Sequence, residues 1–114
     1  MLAQHGERYI ERIFTPREIQ DLPEAMLPRG LAACFAAKEA TIKAIPGDHS
    51  ALDWRSIEIV GSTDSRPTVI LSGPPAEAAA RAGITEFSIS IDTTRTFATA
   101  VVVGRTELSG PRTS

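Results

Sequence analysis

The residues of this chain with the strongest chemical character in one place are Lys38, Glu39 and Lys43, within the segment Phe35-Ala36-Ala37-Lys38-Glu39-Ala40-Thr41-Ile42-Lys43-Ala44. A carboxylate can accept hydrogen bonds or meet a cation, and lysine ammonium groups can meet anions. The spacing also has an ordinary reading, because Glu39 and Lys43 at i, i+4 with the acid first form a surface pair worth roughly 0.2–0.5 kcal/mol. Lys38 resists that explanation. It falls on the stripe of Leu31, Phe35, Ile42 and Ile45, where a lysine is costly unless its head reaches water or meets an anion.

Other reactive residue types are scattered. His5 and His49 stand apart from each other and from any cysteine, a poor pattern for zinc. Asp48, His49 and Asp53 fall in a loop, where polar side chains are ordinarily solvated. Ser88, Ser90 and His49 make no nucleophile signature, and there is no phosphate-binding glycine loop or nucleophile elbow. Cys34, on an apolar helix face, reads as an inert thiol.

The elements that must position these residues follow from the pattern of apolar and turn residues. Residues 3 to 13 place Tyr9, Ile10 and Ile13 at helical spacing, and Thr15-Pro16-Arg17-Glu18 is a capping box with proline at the first helical position. Pro23 and Pro28 make residues 22 to 29 a connector. The longest helix is predicted over 30 to 45, ended by Pro46-Gly47. A hairpin follows, with strands at 56 to 60 and 67 to 72 around a turn at 61 to 66. Pro74-Pro75 opens a short alanine-rich helix closed by Gly83. Strands at 86 to 91 and 97 to 103 flank a loop beginning at Asp92. This order predicts an α+β fold, an antiparallel sheet packed against a long helix. Residues 1 to 103 form one domain, and 104 to 114, which lack periodicity, read as a disordered tail.

Bulk properties narrow the class. A chain of 114 residues with 42% hydrophobic and 5% aromatic side chains supports one core, built mainly of Ile, Val, Leu and Ala, and has reason to bury more surface in an oligomer. Its 12 basic and 14 acidic side chains form no block of one sign, so nucleic acid is not an expected partner. The single cysteine, the absence of a leader pattern and the lack of a long apolar run point to a reduced, cytoplasmic protein with no membrane span.

The helix 35–44 resembles the signature helix of the holo-acyl-carrier-protein synthase family, the small phosphopantetheinyl transferases: an aromatic, two residues, Lys-Glu-Ala, two residues, Lys. Its neighbours match in order, with GERYIERIFTPREI upstream, SIEIV after Trp54, the Arg66-Pro67 turn, and FSIS then FATAVVV near the end. The resemblance implies transfer of 4′-phosphopantetheine from coenzyme A to a serine of an acyl carrier protein, in fatty acid or polyketide biosynthesis, by a homotrimer. It assigns Glu39 to Mg²⁺ and catalysis, Lys43 to catalysis and the coenzyme, and Lys38 and Arg66 to coenzyme binding.

Several positions depart from the family pattern. The aspartate of an opening Gly-Ile-Asp strand, the other Mg²⁺ ligand, falls upstream of the residues present here. Cys34 replaces an arginine, Ile45-Pro46-Gly47-Asp48 replaces a glycine-rich turn, Ile91 replaces a histidine, and the loop from Asp92 to Thr96 is longer. Arg29 and Arg95 are the cations placed to compensate. Two alternatives therefore stand beside the transferase: a repurposed relative acting on a carrier-bound or small acyl substrate, and a non-catalytic scaffold that binds a carrier protein.

Overall fold

The computed structural model describes residues 9–22, 24, 27–62, 66–94 and 97–106. Residues 9–13 are helical and lead into α1, Pro16–Gln20. The capping box forms as the sequence requires. The Glu18 amide donates to Thr15 Oγ1 at 3.2 Å, and the Thr15 amide donates to Glu18 Oε1 at 2.8 Å. The long helix, α2, spans Leu27–Lys43. It begins earlier than the two prolines suggest, because Pro28 lies in the first turn, where a missing amide hydrogen costs nothing. Leu22 lies against Gly30, whose absent Cβ would stand 2.6 Å from the Leu22 Cδ2 atom, so glycine lets the segment after α1 close onto α2.

After a 3₁₀ turn at Trp54–Ser56 come β1, Ile57–Val60, and β2, Thr68–Leu71, paired antiparallel with Ile57 opposite Leu71 and Val60 opposite Thr68. Helix α3, Gly73–Arg81, follows, with Gly83 at φ +77° turning the chain out of it. Strands β3, Ile84–Thr93, and β4, Ala98–Thr106, make the second antiparallel hairpin. The fold is α+β, and among the described residues the strands form two two-stranded antiparallel sheets in place of one. Strand β4 continues past Val103 through Arg105 to Thr106, so the disordered tail assigned from residue 104 begins too early. Cross-strand pairing carries the chain on, with Glu86 and Arg105 forming an ion pair. Residues 107–114 lie outside the described residues.

The core gathers Ile13, Phe14, Cys34, Ala37, Ile42, Ile45, Ile57, Ile59, Ala78 and Ala79. Phe87, Ile89, Ile91 and Ala100 of the second hairpin pack against it from one face. The alternate residues of β4, Val101 and Val103, point to solvent, as does Phe97 at the turn. Ile91 thus serves the packing face of β3.

The Thr15 side chain links two elements, accepting from α1 and donating to Glu58 Oε2 on β1 at 2.6 Å. Thr15→Ala is expected to cost about 1–2 kcal/mol, within the range of lost helix caps. The check is a lower urea midpoint with an unchanged slope; an unshifted midpoint would show that the cap carries no load.

Candidate active site and the buried charge beside it

Helix α2 sorts its polar residues by face. Glu39 is half-buried and Lys43 exposed, both off the stripe that carries Gly30, Ala33, Cys34, Ala37, Lys38, Thr41 and Ile42 into the core. Among the described residues neither Glu39 nor Lys43 has a hydrogen bond or ion pair from its side chain, so the ordinary i, i+4 surface pair is not formed. Arg66 is exposed at the far end of the β1–β2 hairpin, likewise without a partner among the described residues.

Lys38 is in a different situation from its neighbour in sequence. The Lys38 and Glu18 side chains are 0% and 1% exposed, and Nζ lies 2.8 Å from Glu18 Oε1. The ammonium also donates to the carbonyls of Trp54 at 2.9 Å and Ile57 at 2.7 Å. Those three bonds use every proton it has. The Phe14 ring lies 5.5 Å from the charge. The expectation that Lys38 contacts the coenzyme is therefore corrected: it has met its anion inside the protein and keeps no donor for a phosphate.

Glu18 is saturated as well. Its Oε1 accepts from Lys38 and the Thr15 amide, and its Oε2 accepts from the Ile59 amide at 2.7 Å and Cys34 Sγ at 3.4 Å. This also explains position 34. Its side chain is buried and aimed at Glu18, so the cysteine belongs to the core. Burial first, and the Glu18 carboxylate second, push the Cys34 thiol far above its ordinary range, in keeping with an inert cysteine.

A hollow of about 380 Å³ lies at the opposite end of the first hairpin from Arg66, lined by Asp48, His49, Leu52, Asp53, Ser56 and the start of α3. It holds no lysine or arginine. Its two aspartates have lowered pKa values, Asp48 from hydrogen bonds to Ser50 and Asp53 from those to Arg55. Pro74 and Pro75 remove two amide hydrogens from the α3 terminus. Phosphate has no reason to settle there. His49 donates from Nε2 to the Ile45 carbonyl at 2.8 Å and serves the loop after α2. Among the described residues no three His, Cys, Asp or Glu side chains gather as a metal site. Among them, too, no helix is long and apolar enough to cross a membrane. His5 and Arg95 lie outside the described residues, and Arg29 is exposed in the first turn of α2.

Comparison with known proteins gives this α+β body of two hairpins and a long helix a family. The chain belongs to the 4′-phosphopantetheinyl transferase superfamily, whose family model matches residues 1–102. It is 39% identical over 103 residues to a holo-acyl-carrier-protein synthase of Solidesulfovibrio magneticus, covering 90% of this chain and 83% of that protein. It is 41% identical over 105 residues to one of Dehalococcoides mccartyi, covering 90% and 84%. The solved structure of the Helicobacter pylori holo-acyl-carrier-protein synthase in complex with coenzyme A superposes with a TM-score of 0.73 at 30% identity, covering 91% of this chain and 87% of that one.

The Cys34 environment sets a pH dependence. A thiol whose folded pKa lies above its unfolded value of about 8.5 contributes stability that is fully present below that value and is lost as pH rises above it, because the unfolded chain ionises first. Relative to Cys34→Ala, the wild type is expected to lose up to about 1.4 kcal/mol per pH unit above pH 8.5 in urea unfolding. Parallel pH profiles for the two proteins would refute the buried-thiol assignment.

Proposed function

We propose that this protein transfers 4′-phosphopantetheine from coenzyme A to the serine of an acyl carrier protein, with Glu39 and Lys43 as the working residues of α2 and Arg66 as a further contact to the coenzyme. The observation that carries the reading is the division of labour within α2. Lys38 is consumed by the core, while Glu39 and Lys43, one helical turn apart, stand on the outer side with no competing partner among the described residues. The superfamily match and the coenzyme A complex of the Helicobacter pylori relative support the choice of substrate.

In this reaction the serine oxygen bonds to the phosphorus that carries pantetheine. The diphosphate P–O bond breaks, the hydroxyl proton is released, and adenosine 3′,5′-bisphosphate leaves. The donor set suits Mg²⁺ of a particular kind. A half-buried carboxylate on a helix, with no group of three His, Cys, Asp or Glu side chains among the described residues, fits an ion that keeps several waters and arrives on substrate phosphates. Charge on the leaving diphosphate would be offset by Mg²⁺ held there. Glu39 would hold it, and Lys43 and Arg66 would add fixed positive charge toward the phosphates.

The exposed apolar face of the second hairpin, with Phe97 71%, Val101 62% and Val103 54% exposed, favours burial against further copies and supports the homotrimer reading. Light scattering is expected to give three times the 12.2 kDa chain mass. A monomer at micromolar concentration would remove any site shared between subunits.

Mass spectrometry of an apo carrier protein incubated with coenzyme A and Mg²⁺ is expected to show the added phosphopantetheine. Glu39→Gln should abolish that mass shift with the fold intact, and Lys43→Ala should raise the concentration of coenzyme A required. Unchanged turnover in Glu39→Gln would show that the acid is a relic. A wild-type protein that forms its trimer yet leaves the carrier unmodified would instead indicate a scaffold or a repurposed site, the reading that the altered 45–48 turn favours.

A further inference from the structure

We infer that Glu18 and Lys38 are positioning residues for the candidate site, holding the helix rotation that aims Glu39 and Lys43 outward; the inference rests on the reading of those two residues given above. Successive helical residues are turned by about 100°, so fixing one side chain of a rigid helix fixes the direction of the next. Lys38 is fixed from three directions, by Glu18 Oε1 and by the Trp54 and Ile57 carbonyls. These groups bracket the 3₁₀ turn Trp54–Ser56, which ends the loop running on from the C-terminus of α2. The Trp54 ring meets Phe35 edge-on, with centroids 5.1 Å apart, and Phe35 is one turn before Glu39 on the same side of the helix. Glu39 is therefore bordered by two anchored residues, Lys38 next to it in sequence and Phe35 a turn away, which share Trp54 as their anchor.

A purely apolar pair in place of Glu18 and Lys38 could fill the volume but could not satisfy the carbonyls of Trp54 and Ile57 or the amide of Ile59. Replacing Glu18 by glutamine keeps the shape and breaks the pattern. Glutamine has one acceptor where the site needs two, and its amide group must then face either the Lys38 ammonium or the Ile59 amide, both donors. Relief of that conflict requires α2 to rotate or the 54–57 turn to move, and either motion redirects Glu39.

The test compares Glu18→Gln with Ile89→Ala, a variant of a β3 residue that packs against the core and is remote from the pair in sequence, at a temperature where circular dichroism shows both folded. Coenzyme A with Mg²⁺ is titrated to millimolar concentration while amide NMR shifts and the emission of Trp54, the single tryptophan, are followed. Glu18→Gln is expected to bind about 10- to 100-fold more weakly than wild type, as for lost outer-shell partners of a ligand site, with altered Trp54 emission. Ile89→Ala, although destabilised, is expected to keep the wild-type affinity. Equal affinity in Glu18→Gln and wild type would overturn the positioning role and leave the transferase reading standing. Equal weakening in both variants would reduce the pair to general stability and also overturn it. Absence of any Mg²⁺-dependent binding by the wild type would remove the underlying reading, and this inference with it.

Discussion

One buried ion pair organises this protein. Ile57 and Ile59 are two residues apart on β1, so their backbone polar groups share an edge, the one turned away from β2. On that edge the Lys38 ammonium takes the Ile57 carbonyl and the Glu18 carboxylate takes the Ile59 amide. The two side chains, bonded to each other at 2.8 Å, do what a third strand would do. They close a strand edge that would otherwise be buried without partners or open to another chain. Because Glu18 comes from α1, Lys38 from α2 and the partners from the 3₁₀ turn and β1, one pair fixes four elements at once.

A buried pair of this kind is weak evidence for stability in general, since desolvating two charges costs about as much as their attraction returns. Here the arithmetic differs because nearly every lone pair and proton is occupied. The ammonium makes three bonds and the carboxylate accepts four. Losing either partner leaves the other charged, buried and surrounded by oriented dipoles, a loss of about 3–5 kcal/mol in comparable cases. The dipoles also fix polarity. Exchanging the two charges would set a carboxylate against two carbonyls, so the arrangement specifies orientation as well as contact.

Much of this was legible in the sequence, and the limits of legibility have a physical origin. The capping box at Thr15–Glu18 follows from four adjacent residues, and it formed. The oddity of Lys38 was visible too, as a charge on an apolar stripe. Its partner was not, because Glu18 is 20 positions earlier and already explained by its local role at the cap. One carboxylate has room for both duties, and sequence spacing shows only the local one. Pro28 misled for the opposite reason: proline forbids a helix interior but favours its first turn, and only packing of Leu22 on Gly30 shows which applies. Glu39 and Lys43 would pass for any surface pair without the family resemblance. Their lack of partners is a property of the fold.

The claim at the centre of this account is that the Glu18–Lys38 pair holds the β1 edge as firmly as a neighbouring strand would. Hydrogen exchange at the Ile59 amide tests it most directly, because that hydrogen has the Glu18 carboxylate as its acceptor in place of a sheet partner. Exchange of the Ile59 amide only through global unfolding, with an opening free energy equal to that from urea unfolding, is the predicted result. An Ile59 amide that exchanges through local opening, well before the core amides of α2, would contradict it.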